Sequence, residues 1–244
     1  MTKFLLAMAA TLIAANALAD EATIRRVVQE KLGGVRVEGI ERAPVPGLYE
    51  VHFTSQEGPQ ILYTDENAEH ILLGTLYDVR RDRNLTEERM RRLTAIDFDA
   101  LPLNLAVKVQ RGNGRRVLAV FSDPYCPACR KFEQELAQVD DVTVYYFMYP
   151  VIRPELIGHS KSVWCSPDRA KAWIALATRP TPQAPTAAPD CPTPVSRVLE
   201  LGHALGINST PTLFFTTGER VRGGMRLAEL VAQLDDASRR VKRK

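Results

Sequence analysis

Cys126 and Cys129 stand in a C-x-x-C frame with Pro127 and Ala128 between them. Cysteines so spaced can close a strained, readily reduced disulfide, and the thiolate of one can attack the disulfides of other chains. Pro127 suits the first turn of a helix, where its missing N–H costs little. That puts Cys126 at a helix N-terminus, where unpaired backbone N–H groups favour a thiolate. Cys126 is therefore expected to be the exposed, attacking sulfur, and Cys129, one turn inward, the buried resolving thiol. Three other chemistries fit less well. A c-type haem site needs His directly after the second cysteine, and residue 130 is Arg. Tetrahedral zinc could use four sulfurs, but Cys165 and Cys191 form no second C-x-x-C. A purely structural Cys126–Cys129 bridge would close almost no chain and stabilise little.

Cys165 and Cys191 have a different character. Pairing them would close a proline-dense loop containing Pro180, Pro182, Pro185 and Pro189, worth about 3 kcal/mol in the chain-entropy model. This pair reads as a structural disulfide, with a second redox couple as the alternative. Thr210-Pro211 follows the turn-prone Asn208-Ser209 and precedes an apolar run. An X-Pro bond is cis only about 5% of the time, so these residues alone leave both isomers open. His52, His70, His159 and His203 show no metal-ligand spacing, and no metal or cofactor is implied; surface or structural roles are expected for them.

The elements that must position these cysteines follow from the hydrophobic pattern. Val117 to Phe121 is a continuous apolar run, as in a strand covered on both faces. Ser122 to Tyr125 breaks it, and Cys126 opens a helix through about Val139. Val142 to Met148 reads as a second buried strand, followed by helical material from about Ser160 to Ala177 and a helix from Val195 to Leu205. Leu213 to Thr217 and Arg220 to Val221 form a hairpin around Gly218, and Leu227 to Leu234 a last amphipathic helix. This order describes an α/β domain with a mixed sheet. Upstream, Ile24, Val27, Val28 and Leu32 fall at helical spacing before Gly33-Gly34. Leu48 to Phe53, Gln60 to Thr64 and Glu69 to Leu73 read as a small antiparallel α+β unit with a thin core. Between them lies an Arg-rich segment in which Thr86, followed by Glu87 and Glu88, is expected to cap a helix carrying Met90, Leu93 and Ile96.

Met1 to Ala19 has the form of a cleavable secretory signal: Lys3, an apolar run from Phe4 to Ala15, then Ala17-Leu18-Ala19 ahead of Asp20. The mature chain is expected in an oxidising compartment, with no stable membrane insertion. The chain has 244 residues, 45% hydrophobic and 25% charged, which excludes collagen-like, disordered and supercharged classes. Its formal charge of +3 rests on Arg239, Arg240, Lys242, Arg243 and Lys244 at the end. The near-neutral body gives no reason to propose nucleic acid as a ligand.

Phe121 to Cys129, Phe-Ser-Asp-Pro-Tyr-Cys-Pro-Ala-Cys, resembles the active-site segment of the periplasmic disulfide isomerase family of DsbC and DsbG. Ala43 to Gly47 and His70 to Val79 look like that family's N-terminal dimerisation domain. Val163-Trp164-Cys165, with Asp168 and Lys171-Ala172-Trp173, resembles the helix of its structural cysteine, and Leu205 to Pro211 its cis-proline loop. The resemblance implies a signal peptide at 1–19, a dimerisation domain at 20–79, a helical linker at 80–104 and a thioredoxin-like catalytic domain with a helical insertion at 105–244. It further implies a V-shaped homodimer acting on misfolded exported proteins in the periplasm and kept reduced by a membrane electron donor of the DsbD type. Cys126 and Cys129 would be catalytic, Thr210 and Pro211 would form the cis-proline loop, and Cys165 and Cys191 the structural disulfide. Pro127-Ala128 departs from the Gly-Tyr common in DsbC and is closer to DsbG, whereas the second cysteine pair sides with DsbC. A DsbG-like reductase of oxidised single cysteines and a chaperone with secondary redox activity are the alternatives to an isomerase.

Overall fold

The computed structural model describes residues 21–56, 58–179 and 191–241. The leader read over Met1 to Ala19, most of the proline-dense loop and the last three basic residues lie outside them. The chain divides into two compact units between Thr94 and Ala95.

In the first unit a helix, α1 (residues 21–31), precedes four antiparallel strands in sequential order: β1 (Arg36–Arg42), β2 (Leu48–Ser55), β3 (Gly58–Asp65) and β4 (Ile71–Leu72). The sheet is covered on both faces by unlike means. Tyr49, Val51 and Phe53 of β2 pack with Val37, Ile40 and Leu62 against Ile24 and Val28 of α1. The alternate residues Glu50 and His52, which must point the other way, are also buried. They meet a second helix, α2 (Leu85–Leu93), which follows a short hairpin of β5 (Tyr77–Asp78) and β6 (Arg83–Asn84). None of the residues of α2 is buried, so polar groups hold it in place. Arg89 Nε donates to Glu50 Oε1 at 3.1 Å, its Nη2 lies 3.1 Å from His52 Nε2, and it also pairs with Glu41. His52 Nε2 stands 3.2 Å from Glu50 Oε1. Tyr63, opposite Glu50 in the ladder, puts its hydroxyl 2.5 Å from that of Thr86.

Burial pushes the Glu50 carboxyl up, but the bonds and charges of His52 and Arg89 outweigh it, so the group titrates below its ordinary value. A carboxyl lowered by folding contributes stability above its unfolded pKa and loses it as pH falls through the folded one. Arg89→Met is therefore expected to cost the first unit about 2 kcal/mol at neutral pH. The deficit should vanish in acid, once Glu50 is protonated in both proteins. Denaturant melts at the two pH values check this; an equal deficit in acid would contradict it.

Several local expectations are corrected here. The cap of α2 is Asn84, whose side chain accepts from the Glu87 N–H. Thr86 instead bonds Tyr63 and the Leu76 N–H. The helix stops at Leu93, so Ile96 is not on it; the Ile96 N–H donates to the Gly218 carbonyl in the second unit. A Cβ on Gly218, at φ +83°, would lie 1.9 Å from the Ile96 carbonyl, so this turn requires glycine.

The second unit is built on a five-stranded mixed sheet ordered β11-β10-β8-β9-β7. Its elements run β7 (Val107–Arg111), β8 (Arg116–Ser122), α3 (Pro127–Leu136), β9 (Val142–Met148), α4 (Ile157–Cys165), α5 (Arg169–Thr178), α6 (Val195–Ala204), β10 (Thr212–Phe215), β11 (Arg220–Arg222) and α7 (Leu227–Val241). Only β8 and β9 are parallel, joined by the crossover through α3. Leu118 and Val120 of β8 face a core with Phe132 and Leu136 of α3, Trp173 of α5 and Leu230 and Leu234 of α7. Ala119 and Phe121 face the opposite core, with Phe98, Phe147, Val198 and Phe214. The helical stretch expected from Ser160 to Ala177 is two helices, because Ser166-Pro167-Asp168 interrupts it and Asp168 caps α5 through the Lys171 N–H.

Candidate active site

β8 ends at Ser122, and the next residues form the loop that carries the cysteines. Cys126 is the cap residue of α3, extended at φ −77° and ψ 120°, with Pro127 in the first turn. Register decides what it meets. Thr212 of β10 pairs with Phe121 of β8, so the segment leading into β10 lies beside the loop leaving β8. The Thr210–Pro211 bond in that segment is cis, and the Cys126 thiol donates to the Thr210 carbonyl at 3.2 Å. The expected exposure of Cys126 is thereby corrected. Cys126 is 6% exposed and Cys129 4%, because the Thr210 segment covers the first sulfur and the helix turns the second inward.

Burial dominates at Cys129. Its thiol is pushed up to about 12 by desolvation and by the charge of a Cys126 thiolate, against the smaller pull of the Asp123 N–H and the Ser122 and Thr210 hydroxyls. Cys129 thus keeps its proton at neutral pH. The loop between strand and helix is fixed from within. Asp123 is fully buried, and its Oδ1 accepts the Tyr125 N–H at 2.7 Å while Oδ2 accepts those of Val151 and Ile152, both at 2.7 Å. One carboxylate therefore ties the loop after β8 to the loop after β9, at the shared end of the two parallel strands. Val151 and Ile152 stay exposed beside it.

Tyr125 reaches the other way. Its hydroxyl shares a hydrogen bond with Nδ1 of His159 on α4, and the Arg153 guanidinium sits 5.8 Å from its ring centre. Cys165, at the end of α4, is bonded to Cys191 with the Cα atoms 5.8 Å apart. The structure therefore brings Cys126, Cys129, Thr210 and Pro211 together and joins Cys165 to Cys191 in a separate bridge.

The remaining histidines lie elsewhere: His52 in the Glu50–Arg89 cluster, His70 with its Nδ1 3.1 Å from Asp65 Oδ2, and His203 exposed in the last turn of α6. Among the described residues, no group of three or more His, Cys, Asp or Glu is placed to hold a metal ion, and no helix is long and apolar enough to cross a membrane.

Sequence reasoning gave Asp123 no role beyond a turn and His159 only a surface or structural one. Asp-Pro ahead of a cysteine reads only as a turn, and the bonds to Val151 and Ile152 exist because β8 and β9 end level. Nothing around His159 in the chain points to Tyr125.

Residues 103–238 match a family model described as a thioredoxin-like domain. Residues 15–87 match one described as the disulfide bond isomerase protein N-terminal domain. A probable thiol:disulfide interchange protein DsbC of Bordetella parapertussis is 40% identical over 208 residues, covering 84% of this chain and 71% of the relative. The thiol:disulfide interchange protein DsbC of Escherichia coli K12 is 26% identical over 227 residues, covering 90% of this chain and 89% of the relative. A crystal structure of a disulfide interchange protein from Neisseria gonorrhoeae superimposes with a TM-score of 0.51 at 37% identity, over 57% of this chain and 97% of that one.

Proposed function

The chain belongs to the DsbC family of thiol:disulfide interchange proteins, and from that footing we propose that it is a periplasmic isomerase and reductase of wrong disulfides in exported proteins. The observation that carries this reading is the asymmetry of the two thiols: Cys126 caps a helix and donates to the Thr210 carbonyl, while Cys129 is held protonated by burial. The Cys126 thiolate attacks one sulfur of a client disulfide, forming a mixed disulfide and releasing the other client sulfur as a thiolate. A client thiolate that then displaces Cys126 completes an isomerisation with no net electron transfer. Displacement by Cys129 instead leaves the client reduced and a Cys126–Cys129 disulfide, which takes two electrons from a membrane donor of the DsbD type. The Thr210-Pro211 segment offers an extended client edge-strand hydrogen bonds, and the Cys165–Cys191 bridge is structural.

In this reading residues 1–19 direct export, 20–79 form a homodimer, 80–104 link, and 105–244 carry the redox chemistry. Leu72 and Leu73, at the edge strand β4, and Tyr77 and Val79, at the hairpin that follows, stand exposed, apolar surface that a twofold partner would cover in a closed way. Pro127 favours a second reading, a reductase of oxidised single cysteines. Turnover on a sulfenylated protein exceeding that on a scrambled one would select it.

Alkylation of the reduced full chain at neutral pH, mapped by peptide, should label Cys126 first, with Cys129 silent until strongly alkaline pH. Sedimentation at micromolar concentration should find a dimer. Labelling of Cys129 first overturns the thiol roles, and a monomer with full isomerase activity overturns the dimer.

A further inference from the structure

Tyr125 stands immediately before the thiol assigned above as the nucleophile, and its ties are of two kinds. The local ones lie within one turn of the loop: its N–H on Asp123 Oδ1, the Cys126 N–H on the Asp123 carbonyl at 3.2 Å, and Arg130 Nε on the Pro124 carbonyl at 3.0 Å. These shape the loop, and Asp123 ties it to the loop after β9, but none of them reaches α4. The other tie crosses the fold to His159 on α4. Burial raises the Tyr125 phenol above its ordinary value, with Arg153 and Arg130 opposing less strongly. The hydroxyl therefore keeps its proton and stays a neutral partner for Nδ1 of His159, able to donate to it or accept from it. The helix beneath this bond is itself anchored, because α4 ends at Cys165 and the bridge to Cys191 lies just ahead of α6. From α6 the chain runs directly to Thr210, whose carbonyl meets Cys126. His159, which bonds Tyr125, and Thr210, which meets Cys126, thus lie on segments joined by the Cys165–Cys191 bridge.

We propose that His159 is a positioning residue for Cys126, acting through Tyr125. Holding the preceding residue against α4 keeps the sulfur at the helix N-terminus and within reach of the Thr210 carbonyl. The inference rests on the assignment of Cys126 as nucleophile. Without the bond the loop still folds on its local ties, but the sulfur is no longer fixed relative to α4 and the Thr210 segment, and its reactivity changes.

The test uses the full reduced chain and four variants: Tyr125→Phe, His159→Phe, the double variant, and His159→Gln, whose carbonyl oxygen can still accept. The readouts are the pH profile of Cys126 alkylation by iodoacetamide and the Cys126–Cys129 equilibrium with glutathione. One hydrogen bond shifts such quantities by roughly three- to tenfold. Each Phe variant should do so, the double variant should lose no more than either single one, and His159→Gln should recover most of the change. Tyr125→Phe removes one oxygen from a half-buried ring, so it keeps the test valid if His159→Phe fails to fold. Lowered melting temperatures with unaltered profile and equilibrium, or losses that multiply in the double variant, overturn the proposal. The unmodified chain tests the underlying assignment separately: label on Cys129 overturns that, whereas label on Cys126 with unresponsive variants overturns the His159 role alone.

Discussion

Cys126→Ser should abolish thiol–disulfide exchange, while Cys129→Ser should retain attack and accumulate mixed disulfides with clients. The difference follows from where each sulfur sits. Cys126 caps α3 and is the sulfur that meets the Thr210 segment, so removing it removes the nucleophile and leaves only a thiol that is buried and protonated at neutral pH. Cys129 cannot substitute with its thiol pushed up to about 12. Its loss instead removes the internal exit from the mixed disulfide. Turnover of a scrambled disulfide protein should fall to the uncatalysed level in the first variant. In the second, non-reducing gels should show client-linked species that dithiothreitol dissolves. Residual turnover in Cys126→Ser, or trapped clients in it, would reverse the roles.

Asp123→Ala should cost the second unit about 3 kcal/mol, since three backbone N–H groups lose their acceptor at once and each lost hydrogen bond costs about 1 kcal/mol. For a unit of this size that corresponds to a fall of about 10 °C in melting temperature. Asp123→Asn is expected to recover only part of the loss, because one of its two terminal atoms is a donor and cannot accept from a second loop. Calorimetry of the oxidised proteins, in which the catalytic cysteines add the same constraint to each, is the measurement. A drop of only a degree or two in Asp123→Ala would show that water replaces the carboxylate.

What was legible in the sequence was what the chain states locally. The C-x-x-C frame with Pro127 marked the start of α3, and the apolar runs of β8 and β9 announced strands buried on both faces. β1 escaped notice because a register shift between Val37 and Gly39 breaks its alternation. β7 is an edge strand with only Val107 and Val109 inward, too weak a pattern to stand out. The burial of Cys126 is the work of a segment that the chain reaches only after α6, and the partners of Asp123 follow from two strands ending level. These are consequences of register, which no window of sequence around the cysteines contains.

On the proposed assignment of Cys126 as nucleophile and Cys129 as resolving thiol, the placement of Cys129 also sets how long a client stays attached. Once Cys126 is engaged in a mixed disulfide its charge is gone, but burial, the largest cause of the raised Cys129 value, remains. The Cys129 thiol therefore stays above its ordinary value, so little of it is ionised at neutral pH, and only the ionised form attacks. Intramolecular release is thereby slowed relative to attack by the client's own thiols. The branching ratio at the mixed disulfide tilts toward rearrangement, and net reduction becomes the slow exit taken by clients whose remaining thiols cannot reach the bond. Burial at one atom thus works as a clock, giving a trapped client time to try other pairings before it is let go.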